Sequence, residues 1–451
     1  MAAEAALAWL AHAVRFLLIN ANLARTHRER LPVVPFSAMS DPKINVCQIF
    51  PHYAPVLAGA AERFRRYSPG LRKLGVQTSV ITSRSDPALP VQERMDDCVD
   101  VTRMETGSVP RERDLLLFQE TERYLAAQGK DRAQVVQTIK MDRRIFHSLW
   151  RIKRQGRALI FVSTMVEPET WGRTALHRWV NLQLQMWFQR IFDAVVVGSP
   201  AMAAAQRRMG VSPRRLHVIS HGVNIERFQP APWPAAWPEL ASAVLPSNAK
   251  ICLYVGHLIP RKGVSTLLQA WPEVAAKHPD AWLILVGSVY RPTVSSEKER
   301  SEIETYQAGL FRDLASLPRV LHITQQPDIQ RWYQMADIFV FPSTQEGFPN
   351  ALLEAMGTGL PCLTRRFMGF PDGQLGEKEG VIRVVDDPAP AWSAAMTEVL
   401  SNASMRNNMG RDARDIIVRN HALDKTLGAY ASLYRRLAGV KNLTTHGKSS
   451  Y

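Results

Sequence analysis

Two short segments of this chain combine residue types and spacings that suit the handling of phosphate and hydroxyl groups. The first reads Pro342-Ser343-Thr344-Gln345-Glu346-Gly347-Phe348-Pro349-Asn350 and continues Ala351-Leu352-Leu353-Glu354-Ala355-Met356. Pro349 suits a first helical turn, where a missing N–H leaves nothing unpaired. Gly347 lets backbone approach a ligand closely, and free N–H groups at a helix start hold anions. Glu346 in the loop and Glu354, about a turn into the helix, can accept hydrogen bonds from sugar or ribose hydroxyls. Either glutamate taken singly also reads as a helix-dipole or surface carboxylate. The second segment reads Gly256-His257-Leu258-Ile259-Pro260-Arg261-Lys262-Gly263. A Gly-bounded turn with two or three cationic groups ahead of a helix suits a diphosphate. It also reads as a turn with solvated cations.

Such loops need strands that end at them and helices that start from them. The pattern predicts strand 251–255, helix 264–278, strand 282–286, helix 295–317, strand 320–323, helix 329–335, strand 338–341 and helix 349–358. An earlier series runs strand 44–50, helix 62–73, strand 78–82, helices 114–128 and 143–154, strand 158–163, helix 176–192, strand 194–197, helix 200–209 and strand 216–219, with 94–113 unassigned. Continuous apolar strands alternating with helices imply parallel sheets covered on both faces. Between the two series, Pro230, Pro232, Pro234, Pro238 and Pro246 crowd into 229–246, and that density blocks helix and sheet alike. The expectation is two Rossmann-like α/β domains facing a cleft, with ligands beyond the carboxyl ends of the strands.

A length of 451 residues suits two domains, and 46% hydrophobic with 22% charged residues is a globular composition. The net charge of +15 favours polyanions: nucleic acid, an anionic membrane face or phosphorylated small molecules. The clusters Arg63–Arg66, Arg143-Arg144, 151–157 and Arg435-Arg436 read as solvated helix faces, and no zinc-finger or aromatic RNA-binding pattern accompanies them, so nucleic acid is not expected. Cys47, Cys98, Cys252 and Cys362 stand far apart and read as reduced thiols of a cytoplasmic protein. The apolar stretch 5–23 is interrupted by His12, Arg15 and Asn20; it reads as a membrane-surface helix rather than a span or signal peptide. Met39, just ahead of the fold pattern at Lys43, is an alternative start.

Together these segments resemble the retaining family 4 glycosyltransferases of the GT-B fold. The resemblance rests on Glu346-x7-Glu354 in its setting, Gly256-x5-Lys262-Gly263, Gly359-Leu360-Pro361, His221-Gly222-Val223-Asn224 with Arg227-Phe228, and Ala336-Asp337, and it covers roughly 43–438. It implies an N-terminal extension (1–42), an acceptor-side domain (43–228), a linker (229–246), a nucleotide-sugar donor domain (247–421), a helix crossing back to the first domain (422–440) and a tail (441–451). It implies that Lys262 pairs with the donor diphosphate, Glu346 contacts the transferred sugar and Glu354 the ribose, and that N–H groups of Gly347 and Phe348 hold sugar or phosphate oxygens. Gly256, His257, Arg261, Gly287, Pro349, Asn350 and Leu352 complete the implied donor site, and Gly59-Ala60 the first-domain loop. Three departures stand out: His257 replaces an arginine, Ala60 replaces a glycine, and 164–168 lacks a histidine, with Glu167 or Glu169 as weak substitutes.

The implied activity is a hexosyltransferase-type transfer, with retention, from a nucleotide sugar to a glycan, lipid-linked or small-molecule acceptor, as in polysaccharide biosynthesis. No Asp-x-Asp stands at a strand end, Asp96-Asp97 reads as surface, and neither metal nor cofactor is expected. Peripheral contact with an anionic membrane is a further expectation. Trp150, Trp171, Trp179 and Trp187 point to an anionic or lipid-linked acceptor or, more ordinarily, to helix core. The alternatives are a sugar-nucleotide epimerase or a pyridoxal-dependent phosphorylase of the same fold, and a non-catalytic sugar-nucleotide or membrane scaffold.

Overall fold

The computed structural model describes residues 44–439 except 56–58, 108–109, 130–132, 165–174, 232–244, 289–296, 325, 327 and 387. The stretch 5–23, most of the proline-rich linker, Glu167, Glu169, Trp171, the side chain of Trp179 and the tail lie outside the described residues.

In the first domain, β1 (Ile44–Phe50), α1 (Gly59–Lys73) and β2 (Val76–Ser83) open a βαβ unit. A hairpin follows, β3 (Gln92–Met95) and β4 (Val99–Met104), then α2 (Pro110–Gln128), β5 (Val135–Thr138), α3 (Phe146–Arg154), β6 (Ala158–Val162), α4 (Ala175–Phe188), β7 (Ala194–Val197), α5 (Pro200–Arg208) and β8 (Leu216–Val218). The strands lie in the order β3-β4-β2-β1-β5-β6-β7-β8, and every pairing is parallel except the β3–β4 edge. The unassigned stretch is thus partly this hairpin. Asp96 and Asp97, both at positive φ (48° and 52°), are the central residues of its turn, closed by Cys98 N–H to the Met95 carbonyl at 3.1 Å, a conformation that short polar side chains tolerate. β5 escaped sequence reading because its apolar run is only Val135-Val136, followed by Gln137 and Thr138, too little to mark a strand.

The second domain runs β9 (Lys250–Val255), α6 (Val264–Lys277), β10 (Ala281–Val286), α7 (Glu297–Ser316), β11 (Val320–Ile323), α8 (Ile329–Met335), β12 (Ile338–Phe341), α9 (Asn350–Gly357), β13 (Cys362–Thr364), β14 (Ile382–Val384), α10 (Ala389–Ser401) and α11 (Ala403–Asn420). Its sheet order, β11-β10-β9-β12-β13-β14, is parallel throughout. Apolar clusters cover both faces, one around Trp332, Phe339 and Met356 and the other around Trp271, Tyr254 and Trp392. The chain moves outward from β9 through β10 to β11, then returns to place β12 on the other side of β9. The loops after β9 and β12 therefore flank the crevice where strand order reverses, the standard ligand position of such sheets.

The last helix, α12 (Leu423–Leu437), packs on the first domain. Leu427, Tyr430, Ala431, Leu433 and Tyr434 are buried with Phe64, Tyr67 and Leu71 of α1 and with β1. Tyr434 donates its hydroxyl to Gln137 at 2.6 Å. The crossing back is stitched at its start: Val223 N–H donates to the His421 carbonyl, and Leu423 N–H to that of Val223.

Candidate functional site

The loop after β9 ends in a single 3-10 turn, Pro260–Lys262, which raises Lys262 over the Phe341 ring at the end of β12. Gly263 follows in the left-handed region at φ +69°. A Cβ there would stand 2.2 Å from the Pro342 carbonyl oxygen, so glycine alone lets the two loops meet so closely. Thr344 N–H donates to the Arg261 carbonyl at 2.8 Å, and the Thr344 hydroxyl donates to the same oxygen at 3.0 Å. Lys262 Nζ then lies 2.6 Å from Glu346 Oε1, which also accepts from the Ser343 hydroxyl at 2.5 Å. Arg261 stands 3.7 Å from Glu346 Oε2 and donates to the Gln345 carbonyl at 2.9 Å. Lys262 and Glu346 are both largely buried, and burial lowers the Lys262 pKa while the Glu346 charge opposes the drop.

Glu354 is held by both domains. Its Oε1 accepts from Arg66 of α1 at 3.2 Å, and its Oε2 from the Tyr333 hydroxyl of α8 at 3.1 Å. Burial raises its pKa, and Arg66 pulls against that shift. The start of α9 meets the crossover segment, with Asn350 Oδ1 2.6 Å from His221 Nδ1 and the Phe348 ring 4.7 Å from that imidazole. A Cβ on Gly347 would fall 2.1 Å from the Thr164 carbonyl oxygen beyond β6, so Gly347 permits a close approach between the two domains. Among the described residues, the backbone N–H groups of Gly347 and Phe348 donate no hydrogen bond.

The sequence-predicted donor residues thus converge on one crevice, with four adjustments. Pro349 is the N-cap of α9 rather than part of its first turn; its carbonyl accepts from Leu353 N–H. Leu352 is fully buried in the core, so its side chain packs instead of facing a ligand. His257 stands against the Ser288 hydroxyl at 3.0 Å, and burial, then the charges of Lys262 and Arg261, push its pKa down. That shift disfavours the charged imidazolium that would stand in for an arginine. Gly287 lies beneath Gly256, close enough that a Cβ would meet its carbonyl oxygen. In the first domain, Gly59 opens α1 with open space where a side chain would project, and Ala60 follows it in the helix.

Sequence reading missed Ser343, Tyr333, Arg66 and His221 as partners of these residues. The only signal for Arg66 was the basic run Arg63–Arg66, read as a solvated face; in the fold Arg66 reaches Glu354 and Arg63 is buried. Trp150 and Trp187 are not core: they are 40% and 54% exposed. Asp96, in its turn, pairs with Arg65 at 2.7 Å. All four cysteines are buried and free. Among the described residues, no group of three or more His, Cys, Asp or Glu could hold a metal, and no helix is long and apolar enough to cross a membrane.

Two α/β domains with their strand ends turned toward one cleft define the GT-B class. The family model of glycosyl transferases group 1 matches residues 237–416, and that of glycosyltransferase family 4 matches 57–227. The fold resembles sucrose-phosphate synthase from Thermosynechococcus elongatus (TM-score 0.71, 23% identity, 88% of this chain and 100% of that one). It also resembles HepE from Anabaena in complex with UDP-glucose (TM-score 0.63, 15% identity, 86% and 99%). A curated relative, D-inositol 3-phosphate glycosyltransferase 2 of Catenulispora acidiphila, is 28% identical over 231 residues, 51% of this chain and 52% of that protein. The chain spans about half the length of the curated relatives it matches. It belongs to the family 4 glycosyltransferases of the GT-B fold.

Proposed function

We propose that this protein transfers a glycosyl group from a nucleotide-sugar donor to an acceptor hydroxyl, with retention at the anomeric carbon. The observation that carries this reading is the buried Lys262–Glu346 pair, 2.6 Å apart, at the strand-order reversal between β9 and β12. The acceptor oxygen forms a bond to the anomeric carbon as the bond to the donor phosphate breaks. The acceptor proton passes to the departing phosphate oxygen on the same face, and the products are the glycoside and a nucleoside diphosphate. The difficulty is the charge that gathers on the leaving group. Lys262, Arg261 and the free N–H groups of Gly347 and Phe348 are fixed donors around it, and fixed dipoles in a water-poor site stabilise such charge without reorganising. Glu346 both holds Lys262 and presents a carboxylate oxygen to sugar hydroxyls. Glu354 accepts from the ribose. Charge neutralisation by these groups makes a divalent metal unnecessary.

Relatives named for inositol phosphate and a fold neighbour that holds UDP-glucose set the order of trial substrates: UDP-glucose among donors, small phosphorylated polyols among acceptors. The test is a nucleotide-sugar panel read by hydrolysis and thermal stabilisation. A panel in which no donor stabilises or is turned over defeats the reading, and absorbance of a bound pyridoxal would favour a phosphorylase instead.

One surface favours a lipid-borne acceptor over a free one. Trp187 lies against Phe146, ring centres 5.1 Å apart and planes tilted by 41°, and Arg154 lies 4.7 Å over exposed Trp150, with exposed Arg151 and Arg190 close by in the sequence. Aromatic rings interspersed with cations suit the headgroup layer of an anionic membrane. Flotation with phosphatidylglycerol vesicles, lost in a Trp150→Ala/Trp187→Ala double variant, is the expected result; equal flotation removes the lipid reading.

A further inference from the structure

Helix α1 carries four arginines, and three of them are bonded. Arg65 pairs with Asp96 and Glu62, Arg66 with Glu62 and Glu354, and Arg72 donates to the Asp97 carbonyl. Arg63 is different. It is 8% exposed, its Nε and one Nη are buried without a hydrogen-bond partner, and among the described residues no carboxylate pairs with it. Its guanidinium lies 5.0 Å from the centre of the Phe64 ring, which offers no hydrogen-bond acceptor, and its charge also acts on the hydroxyls of Tyr67, Tyr430 and Tyr434. A guanidinium has five donors and cannot shed its charge, so burial without an acceptor is strongly unfavourable unless an anion completes the site.

The place of Arg63 says where that anion would lie. Arg63 and Arg66 are three residues apart and so share a face of α1. Arg66 on that face reaches Glu354 in the second domain. Tyr67, one turn further along, accepts at its hydroxyl oxygen from the Gly222 backbone N–H in the crossover, at 3.2 Å. The Arg63 charge also acts on His221, the imidazole that contacts Asn350 and Phe348 at the start of α9. Its neighbours on α1 thus face the second domain and the crossover beside His221, and among the described residues the Gly347 and Phe348 N–H groups at the start of α9 are also without acceptors.

We propose that Arg63 is a phosphate-binding residue which the first domain contributes to the cleft, completing from the opposite side the set formed by Lys262 and the start of α9. The proposal rests on the nucleotide-sugar reading of the site. Two sources share the chemistry, the donor's diphosphate and a phosphate carried by the acceptor. Either would give the guanidinium the oxygen atoms it lacks.

The test uses the full chain as wild type, Arg63→Met and Arg63→Lys, with UDP, GDP, the corresponding nucleosides and inorganic phosphate as calorimetric probes. Arg63→Met keeps the length of the side chain and removes an uncompensated charge, so its ligand-free melting temperature should be equal or higher. If the donor is the source, Arg63→Met weakens the diphosphate by about tenfold or more and leaves the nucleoside unchanged, with partial recovery in Arg63→Lys. If the acceptor is the source, diphosphate affinity holds, while inorganic phosphate no longer binds the nucleotide-saturated protein. Either pattern supports the assignment. Wild-type affinity for both probes retained in Arg63→Met overturns it and leaves the transferase reading intact, as does a lowered melting temperature with intact phosphate binding, which marks Arg63 as structural. A wild-type protein that binds neither probe sinks both.

Discussion

Lys262 Nζ and Glu346 Oε1 stand 2.6 Å apart although 84 positions separate them in the chain. The pair joins the turn after β9 to the loop after β12, so a change at either residue is felt at the other. Lys262→Ala should lower kcat by about 10²–10³, roughly 3–4 kcal/mol, the usual cost of one preorganised donor to a developing charge. Glu346→Gln loosens Lys262 and alters a sugar contact, so both kcat and donor KM should worsen. Steady-state kinetics with the matching donor decide. A Lys262→Ala variant within about threefold of wild-type kcat would show the donor site to be misassigned.

Glu354 should divide the kinetic constants differently. The ribose changes little during transfer, and an interaction equal in ground and transition states appears in KM rather than kcat. Glu354→Gln keeps the shape and should raise donor KM more than it lowers kcat. It also removes the charge that pairs with Arg66. A variant with unchanged KM and a large fall in kcat would place Glu354 at the reacting centre instead.

Metal dependence is a direct check on the charge argument. With Lys262, Arg261 and free N–H groups available to the leaving diphosphate, transfer should continue in excess EDTA. Complete loss restored by Mg²⁺ or Mn²⁺ would mean that these groups do not suffice.

His52, in the loop after β1, gives a prediction about stability. Its folded pKa falls from 6.5 to about 4, because of burial first and then the Arg113 and Lys140 charges, with Asp114 opposing. Between those values the unfolded chain binds a proton that the folded one refuses, so stability is full above about pH 6.5 and declines as pH falls toward 4. His52→Gln should flatten that decline in denaturant titrations at stepped pH. Superimposable pH slopes for the two proteins would rule out His52 as a contributor.

Much of the donor loop chemistry was legible locally. The apolar runs that became β9, β10 and β12, the cationic turn, the Glu346–Glu354 spacing and the two-domain α/β class all follow from composition and period over neighbouring residues, which a linear reading can see. What tertiary structure decided is which of these groups meet. Arg66 and Glu354 are 288 positions apart, and only the packing of α1 against the second domain brings them to 3.2 Å. The fold also buries Arg63, while the packing of α3 and α4 leaves Trp150 and Trp187 in solvent, each against the ordinary reading of its surroundings. Burial and long-range pairing depend on how whole sheets and helices dock. A charge three residues from another carries the same local signal whether it ends in water, in an ion pair or alone inside a cleft.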